Sequence, residues 1–231
     1  MRLESLRQAV LNANLELVRR GLVFSTFGNA SGISRDDGLV VIKPSGVGYD
    51  VLRAEDLVVT DLEGRRVEGK LNPSSDLPTH LVLYRAFQAI GGVVHTHARY
   101  STAWAQAGRE IPCFGTTHAD YVRGAVPITD PMKSQEIQAD YEANTGVVIV
   151  RRFASLDPVT HRAVLVHGHG PFCWGATPEE AALTAVMVEE IAHIACLTVA
   201  INPEAKPISK ALLDKHFLRK HGPDAYYGQK S

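Results

Sequence analysis

At 231 residues, with 45% hydrophobic and 21% charged side chains, the chain is long enough to bury one substantial core and requires no second domain. A formal net charge of -1 gives no general electrostatic reason to expect nucleic acid or an anionic membrane as a partner. The three cysteines, Cys113, Cys173 and Cys196, lack CxxC spacing and sit in apolar contexts, so they read as buried thiols of a reducing compartment, the cytoplasm.

The N-terminal residues include Arg2, Glu4 and Arg7 where a signal peptide needs an apolar stretch. Leu3, Leu6, Val10 and Leu17 recur at helical spacing, and Gly21 stands where a C-terminal cap belongs, so the first element is a helix. Short aliphatic runs at 39–42 and 57–60, bounded by Gly, Pro and Asp, predict strands, and the run 147–150 predicts another. A helix over 76–89 carries Pro78 in its first turn, where the missing N–H does no harm, and Gly91-Gly92 follow its end. Val93-Val94-His95-Thr96-His97 is a strand, and the apolar run 163–166 predicts a second one leading into His167-Gly168-His169. Thr177-Pro178-Glu179-Glu180 is a capping box opening a helix to about Ile201. Glu189, Glu190 and His193 interrupt its apolar run, which makes it a packed helix and not a membrane span. The last helix covers 209–221, with Arg219, Lys220 and His221 in its final turn and Gly222-Pro223 beyond. Strands and helices alternate irregularly, without repeats or linkers. The expected fold is a single α/β domain over 1–231, three-layered, with a central mixed or antiparallel sheet flanked by helices.

Side chains alternate across a strand, so His95 and His97 point to one side and form half of a metal site. One histidine of the second pair adds a third nitrogen, while Gly168 between them faces away. Zn²⁺ favours imidazole nitrogen, and Mn²⁺ or Co²⁺ are possible substitutes. Asp76 opens the helix that leads into the first histidine strand and can add a carboxylate oxygen, although an Asp there more often serves as an N-cap. A cupin-type iron site needs a glutamate shortly after HxH, and Ala98-Arg99-Tyr100-Ser101 follows instead.

Three hydroxyl- and glycine-rich segments can hold a phosphate: Gly28-Asn29-Ala30-Ser31-Gly32, Lys43-Pro44-Ser45-Gly46 and Ser74-Ser75. The last lies at a helix start, where free N–H groups favour an anion. Neither a P-loop nor a dinucleotide fingerprint occurs, which disfavours nucleotides. Thr116-Thr117-His118-Ala119-Asp120-Tyr121 places a carboxylate in a polar loop, and paired phenols stand near the end of the sequence in Ala225-Tyr226-Tyr227-Gly228-Gln229.

Taken together, KPSG from Lys43, PSSD from Pro73, HTH from His95, GTTHADY from Gly115, HGHGPF from His167 and DKHFLRKHG followed by AYYGQ closely resemble the L-ribulose-5-phosphate 4-epimerases of the class II aldolase superfamily. L-fuculose-phosphate aldolase belongs to the same superfamily. The resemblance covers nearly the whole chain, although 151–162 matches no family signature. It implies a class II aldolase-like fold and zinc held by Asp76, His95, His97 and His169, with His167 outside the ligand set. It implies phosphate contacts from Gly28, Asn29, Ser45, Gly46, Ser74 and Ser75, with Lys43 nearby. Asp120 and Tyr227 match the acid/base positions and His216 an active-site histidine. The family forms ring-shaped homotetramers with active sites at subunit interfaces.

What the resemblance implies is zinc-dependent epimerisation of a phosphorylated ketopentose, L-ribulose 5-phosphate to D-xylulose 5-phosphate, by retro-aldol cleavage and re-addition at C3–C4. Aldolases that resemble this chain carry a glutamate at the position of Asp76, long enough to move a proton on carbon, which the shorter Asp is not. The alternatives are a sugar-phosphate aldolase that releases its fragments and a binding protein with a structural zinc.

Overall fold

The computed structural model describes residues 3–222 and 224–226. Among these residues, seven strands form one sheet: β1 (Asn29–Ser34), β2 (Leu39–Ile42), β3 (Val58–Asp61), β4 (Arg66–Glu68), β5 (Gly92–His95), β6 (Ala163–Leu165) and β7 (Pro171–Gly175). Their order is β4-β3-β2-β1-β5-β7-β6, and every neighbouring pair is antiparallel. The antiparallel form of the expected sheet is therefore the one adopted.

Eight helices accompany it: α1 (Glu4–Arg19), α2 (Leu77–Ala86), α3 (Arg99–Gln106), α4 (Thr116–Ala119), α5 (Ser134–Gln138), α6 (Tyr141–Arg152), α7 (Pro178–Ile201) and α8 (Lys210–His221). Strand periodicity separates two cores. Val94 and Cys173 pack with α1, α3 and α7, whereas Val93, Phe172 and Trp174 pack with α2 and α6 on the other side. This is the three-layer arrangement, with two independently buried faces. The Thr177 side chain accepts from Glu180 N, as expected of a cap, and Ser209, expected as the first residue of the last helix, is instead its N-cap, accepting from Leu212 N. Helix α7 has the length and apolarity of a membrane span, but it packs against β5, β7, α1 and α3 as a core helix. The three cysteines are free; Cys113 and Cys173 are buried, while Cys196 is half-buried.

Three expectations change. The run 147–150 lies inside helix α6, capped by Asp140 and packed on α2: Val148 and Ile149 are buried while Val147 is exposed. A four-residue aliphatic run fits either element, and packing on α2 selects the helix. Within Gly28-Asn29-Ala30-Ser31-Gly32, which is not among the expected strands, Asn29 onward belongs to the sheet's inner strand β1. Thr116-Thr117-His118-Ala119 forms the short helix α4, with Asp120 as its C-cap residue.

Strand β5, which carries His95, is fixed at its other end by close backbone packing. Gly91 N donates to Gly175 O at 2.8 Å, and a Cβ added to Gly92 would lie 2.5 Å from Pro178 Cα. Only glycine permits that approach.

Candidate metal and phosphate site

His95 ends β5, and His97 lies two residues on, just past the strand. Their rings stay on one side, with centroids 4.9 Å apart and the two Nε2 atoms 3.1 Å apart. His169 does not sit on a strand as expected. Strand β6 ends at Leu165, and His167-Gly168-His169 forms the tight turn into β7, with Gly168 at φ +71° and His169 N donating to Val166 O. The turn splits the pair. His169 swings to 4.7 Å from the His95 ring and 5.1 Å from that of His97, while the His167 ring lies over Gly108. One ligand atom from each of His95, His97 and His169 fits within 4.8 Å of the others.

This donor set fits a divalent metal. His95 Nδ1 donates to Pro171 O at 2.9 Å, which leaves Nε2 as the lone pair, and Tyr141 Oη lies 3.3 Å from His169 Nδ1. Such partners orient ligating imidazoles. Burial, reinforced by the neighbouring imidazoles, pushes His169 down to about 4 and also lowers His97, so both are neutral at pH 7. Metal binding therefore need not displace a proton from either. Phe172 stacks on His95 at 4.2 Å, and Phe27 lies 5.8 Å from His97.

Asp76 occupies the N-cap position of α2, yet its side chain makes no cap hydrogen bond. Instead Oδ2 accepts from Asn29 Nδ2 at 2.6 Å, and the carboxylate lines the same cleft as the three histidines, outside their tight cluster. Burial opposes its charge, but His95, His80 and the Asn29 bond outweigh that and hold the carboxyl below its ordinary range.

The cleft, about 380 Å³, brings the other predicted residues together: Gly28, Asn29, Lys43, Ser45, Gly46, Ser74 and Ser75 all line it. Ser45 N donates to Asn72 O and Ser74 N to Lys43 O, which laces the two segments side by side. Lys43 is buried, with Nζ 4.7 Å from the Tyr49 ring centroid, and desolvation lowers its pKa. A cation behind a hydroxyl-rich wall at a helix start suits a phosphate dianion.

Asp120 and His216 are brought together, but neither lines the cleft. Asp120 Oδ2 accepts from Arg219 Nη2 at 2.7 Å, while Oδ1 lies 3.1 Å from both Arg219 Nε and His216 Nδ1. Burial opposes ionisation here too, and Arg219, His216 and Lys220 overcome it, lowering the Asp120 pKa. Tyr227 lies outside the described residues. Sequence reasoning missed Thr26, Phe27, Pro44, Tyr141 and Glu142 as lining residues. Phe27 and Pro44 adjoin motif residues, but nothing in the spacing links Tyr141 or Glu142 to the histidines.

The chain is 50% identical over 228 residues to the L-ribulose-5-phosphate 4-epimerase UlaF of Salmonella paratyphi B (strain ATCC BAA-1250 / SPB7), covering 99% of this chain and 100% of that protein. An L-fuculose 1-phosphate aldolase structure aligns with TM-score 0.78 at 24% identity, covering 92% of this chain and 94% of its own, which speaks for the fold alone. The L-fuculose-1-phosphate aldolase of Thermus Thermophilus aligns with TM-score 0.68 at 27% identity, covering 88% of this chain and 100% of its own. The family model for the class II aldolase and adducin N-terminal domain matches residues 8–196. The chain belongs to the class II aldolase family.

Proposed function

We propose that this chain is a cytoplasmic epimerase that interconverts L-ribulose 5-phosphate and D-xylulose 5-phosphate by breaking and remaking the C3–C4 bond. The full-length 50% identity to an L-ribulose-5-phosphate 4-epimerase carries this reading. The hydrogen on C4 is not adjacent to the C2 carbonyl, so a carbanion there has no conjugated oxygen. Cleavage of C3–C4 instead leaves the electron pair on carbon conjugated with that carbonyl. His95, His97 and His169 with Asp76 would hold a divalent metal, zinc by the resemblance, and such an ion when bound supplies Lewis-acid stabilisation of developing negative charge.

Ser45, Gly46, Ser74, Ser75, Gly28 and Asn29, with Lys43 behind them, would orient the phosphate while the aldehyde half turns. Asp120 and Tyr227 would exchange a proton with the C4 oxygen from the aldehyde's two faces: one takes it as the bond breaks and the other returns it on re-addition. Asp120 and His216 stand apart from the cleft of their own chain, which suits the homotetramer that the resemblance implies, in which a neighbouring copy would bring them, with Tyr227, to the substrate.

Incubation with L-ribulose 5-phosphate in heavy water tests the chemistry. D-xylulose 5-phosphate without deuterium at C4 is expected; stoichiometric deuterium there overturns the retro-aldol route. Accumulation of free glycolaldehyde phosphate would make the chain an aldolase instead.

A further inference from the structure

Helix α2 and strand β1 are joined by a polar ladder that starts at half-buried Asp76 in the cleft and runs into the buried interior. Asp76, His80 and Tyr84 follow one another at four-residue intervals on one face of α2, and Asn29 and Ser31 alternate onto the facing side of β1. The first rung is Asn29 Nδ2 to Asp76 Oδ2 at 2.6 Å. In the second, Ser31 Oγ lies 2.7 Å from His80 Nδ1 and 2.8 Å from Tyr84 Oη. Ser31, His80 and Tyr84 are completely excluded from solvent. Yet His80 Nε2 has no hydrogen-bond partner, an arrangement rare among buried polar atoms.

What surrounds His80 indicates what that atom is for. Asp76 stands four residues before it, one helical turn away at the start of α2. Phe172 lies between the two imidazoles, edge-on to His80 at 6.1 Å and stacked on His95 at 4.2 Å. A neutral imidazole carries one N–H and one lone pair. When Tyr84 donates to Ser31 and Ser31 donates to Nδ1, one of the two directions these contacts allow, the proton falls on Nε2. Asp76 itself has one oxygen taken by Asn29 and stands outside the tight histidine cluster.

We propose that His80 is a positioning residue for Asp76: its unpartnered Nε2–H is the second point of a clamp that joins the Asn29 amide when the carboxylate turns toward the metal held by His95, His97 and His169. This rests on the metal reading above. Tyr84 and Ser31 act through His80 by fixing its tautomer.

The test measures Co²⁺ dissociation constants by chelator competition, with the cobalt absorption spectrum as a second readout, on four apo proteins checked for folding by circular dichroism. They are the unaltered chain, His80→Asn, Asp76→Asn and the double variant. Asn retains a partner for Ser31 and lacks the Nε2 position. His80→Asn is expected to weaken Co²⁺ binding about 10- to 100-fold, the range for lost outer partners of metal ligands, and to alter the spectrum. In the Asp76→Asn background the same change is expected to do almost nothing, because the two act through one carboxylate. His80→Gln, whose amide reaches the Nε2 position, is expected to restore most of the affinity. Unchanged binding in folded His80→Asn, or an equal loss with and without Asp76, overturns the clamp while leaving the metal site standing. Failure of the unaltered chain to bind Co²⁺ overturns both. Should the His80 variants not fold, Ser31→Ala is read in the same cycle, where loss of affinity only with Asp76 present supports the proposal and unchanged affinity rejects it.

Discussion

Two histidine-containing clusters, one in the cleft and one between α4 and α8, solve opposite electrostatic problems. In the cleft, burial and crowding keep His97 and His169 neutral, and the lone pairs turn toward a common point. At the other cluster, Arg219, His216 and Lys220 converge on Asp120 and keep a half-hidden carboxylate ionised. The first is prepared to accept a cation without shedding protons, whereas the second already holds its cations, which keep Asp120 in its charged form and make it a weaker base.

The largest effect expected from breaking this division is at the cleft. His97→Ala or His169→Ala should lose most bound metal and nearly all activity while staying soluble, as read by elemental analysis and turnover; full occupancy in both would remove the assignment. His167→Asn serves as the control and should keep its metal, because its ring lies over Gly108, away from the other three.

A smaller effect is expected at the second cluster. Asp120→Asn or Tyr227→Phe should lower turnover by about 10²- to 10⁴-fold with metal content unchanged. Mixing either with His97→Ala chains should restore part of the activity if the two clusters meet across subunits. No recovery despite demonstrated exchange of subunits would place a complete site in one chain.

The smallest effect is on stability and separates the clusters by pH. Burial holds His169 and, in α4, His118 at about 4 in the folded chain, against an ordinary 6.5. Between those values the unfolded chain binds protons that the folded apo chain does not, so apo stability should fall as pH falls from 6.5 toward 4. The Asp120 ion pairs act lower: its depressed pKa gives stability that is present above 3.8 and lost on further acidification. Thermal midpoints against pH for apo protein and Asp120→Asn should therefore share the upper slope and differ below it. A substitution at Asp120 that abolished the upper slope would contradict this separation.

Legibility from the sequence followed the same physical divide. His95 and His97 could be read because strand alternation is a rule of backbone geometry, and Thr177 because caps are local. The spacing asked only for one histidine of the second pair, and the resemblance chose His169. Its strand stops at Leu165, and a left-handed Gly168 turns the chain, dividing a pair that strand alternation would have kept on one side. The run at 147–150 carried no local information to separate helix from strand, and its partner α2 lies more than sixty residues earlier. Tyr141 and Glu142 reach the cleft only because α6 packs on that helix, a tertiary fact with no spacing to betray it.

The glycine at the start of β5 has a consequence for how mutational maps of this molecule are to be understood. A methyl group at Gly92 would meet Pro178 Cα at 2.5 Å, and relief of that collision requires the strand to slide or α7 to retreat. Either movement is transmitted along three residues to His95. The aim of the His95 ring is thus set by a joint at the opposite end of its strand, outside the cleft. A scan scoring activity alone would rank Gly92 with the histidines, and a scan that also scored abundance would divide them, because a misfitted joint unseats the frame while a missing imidazole leaves it standing.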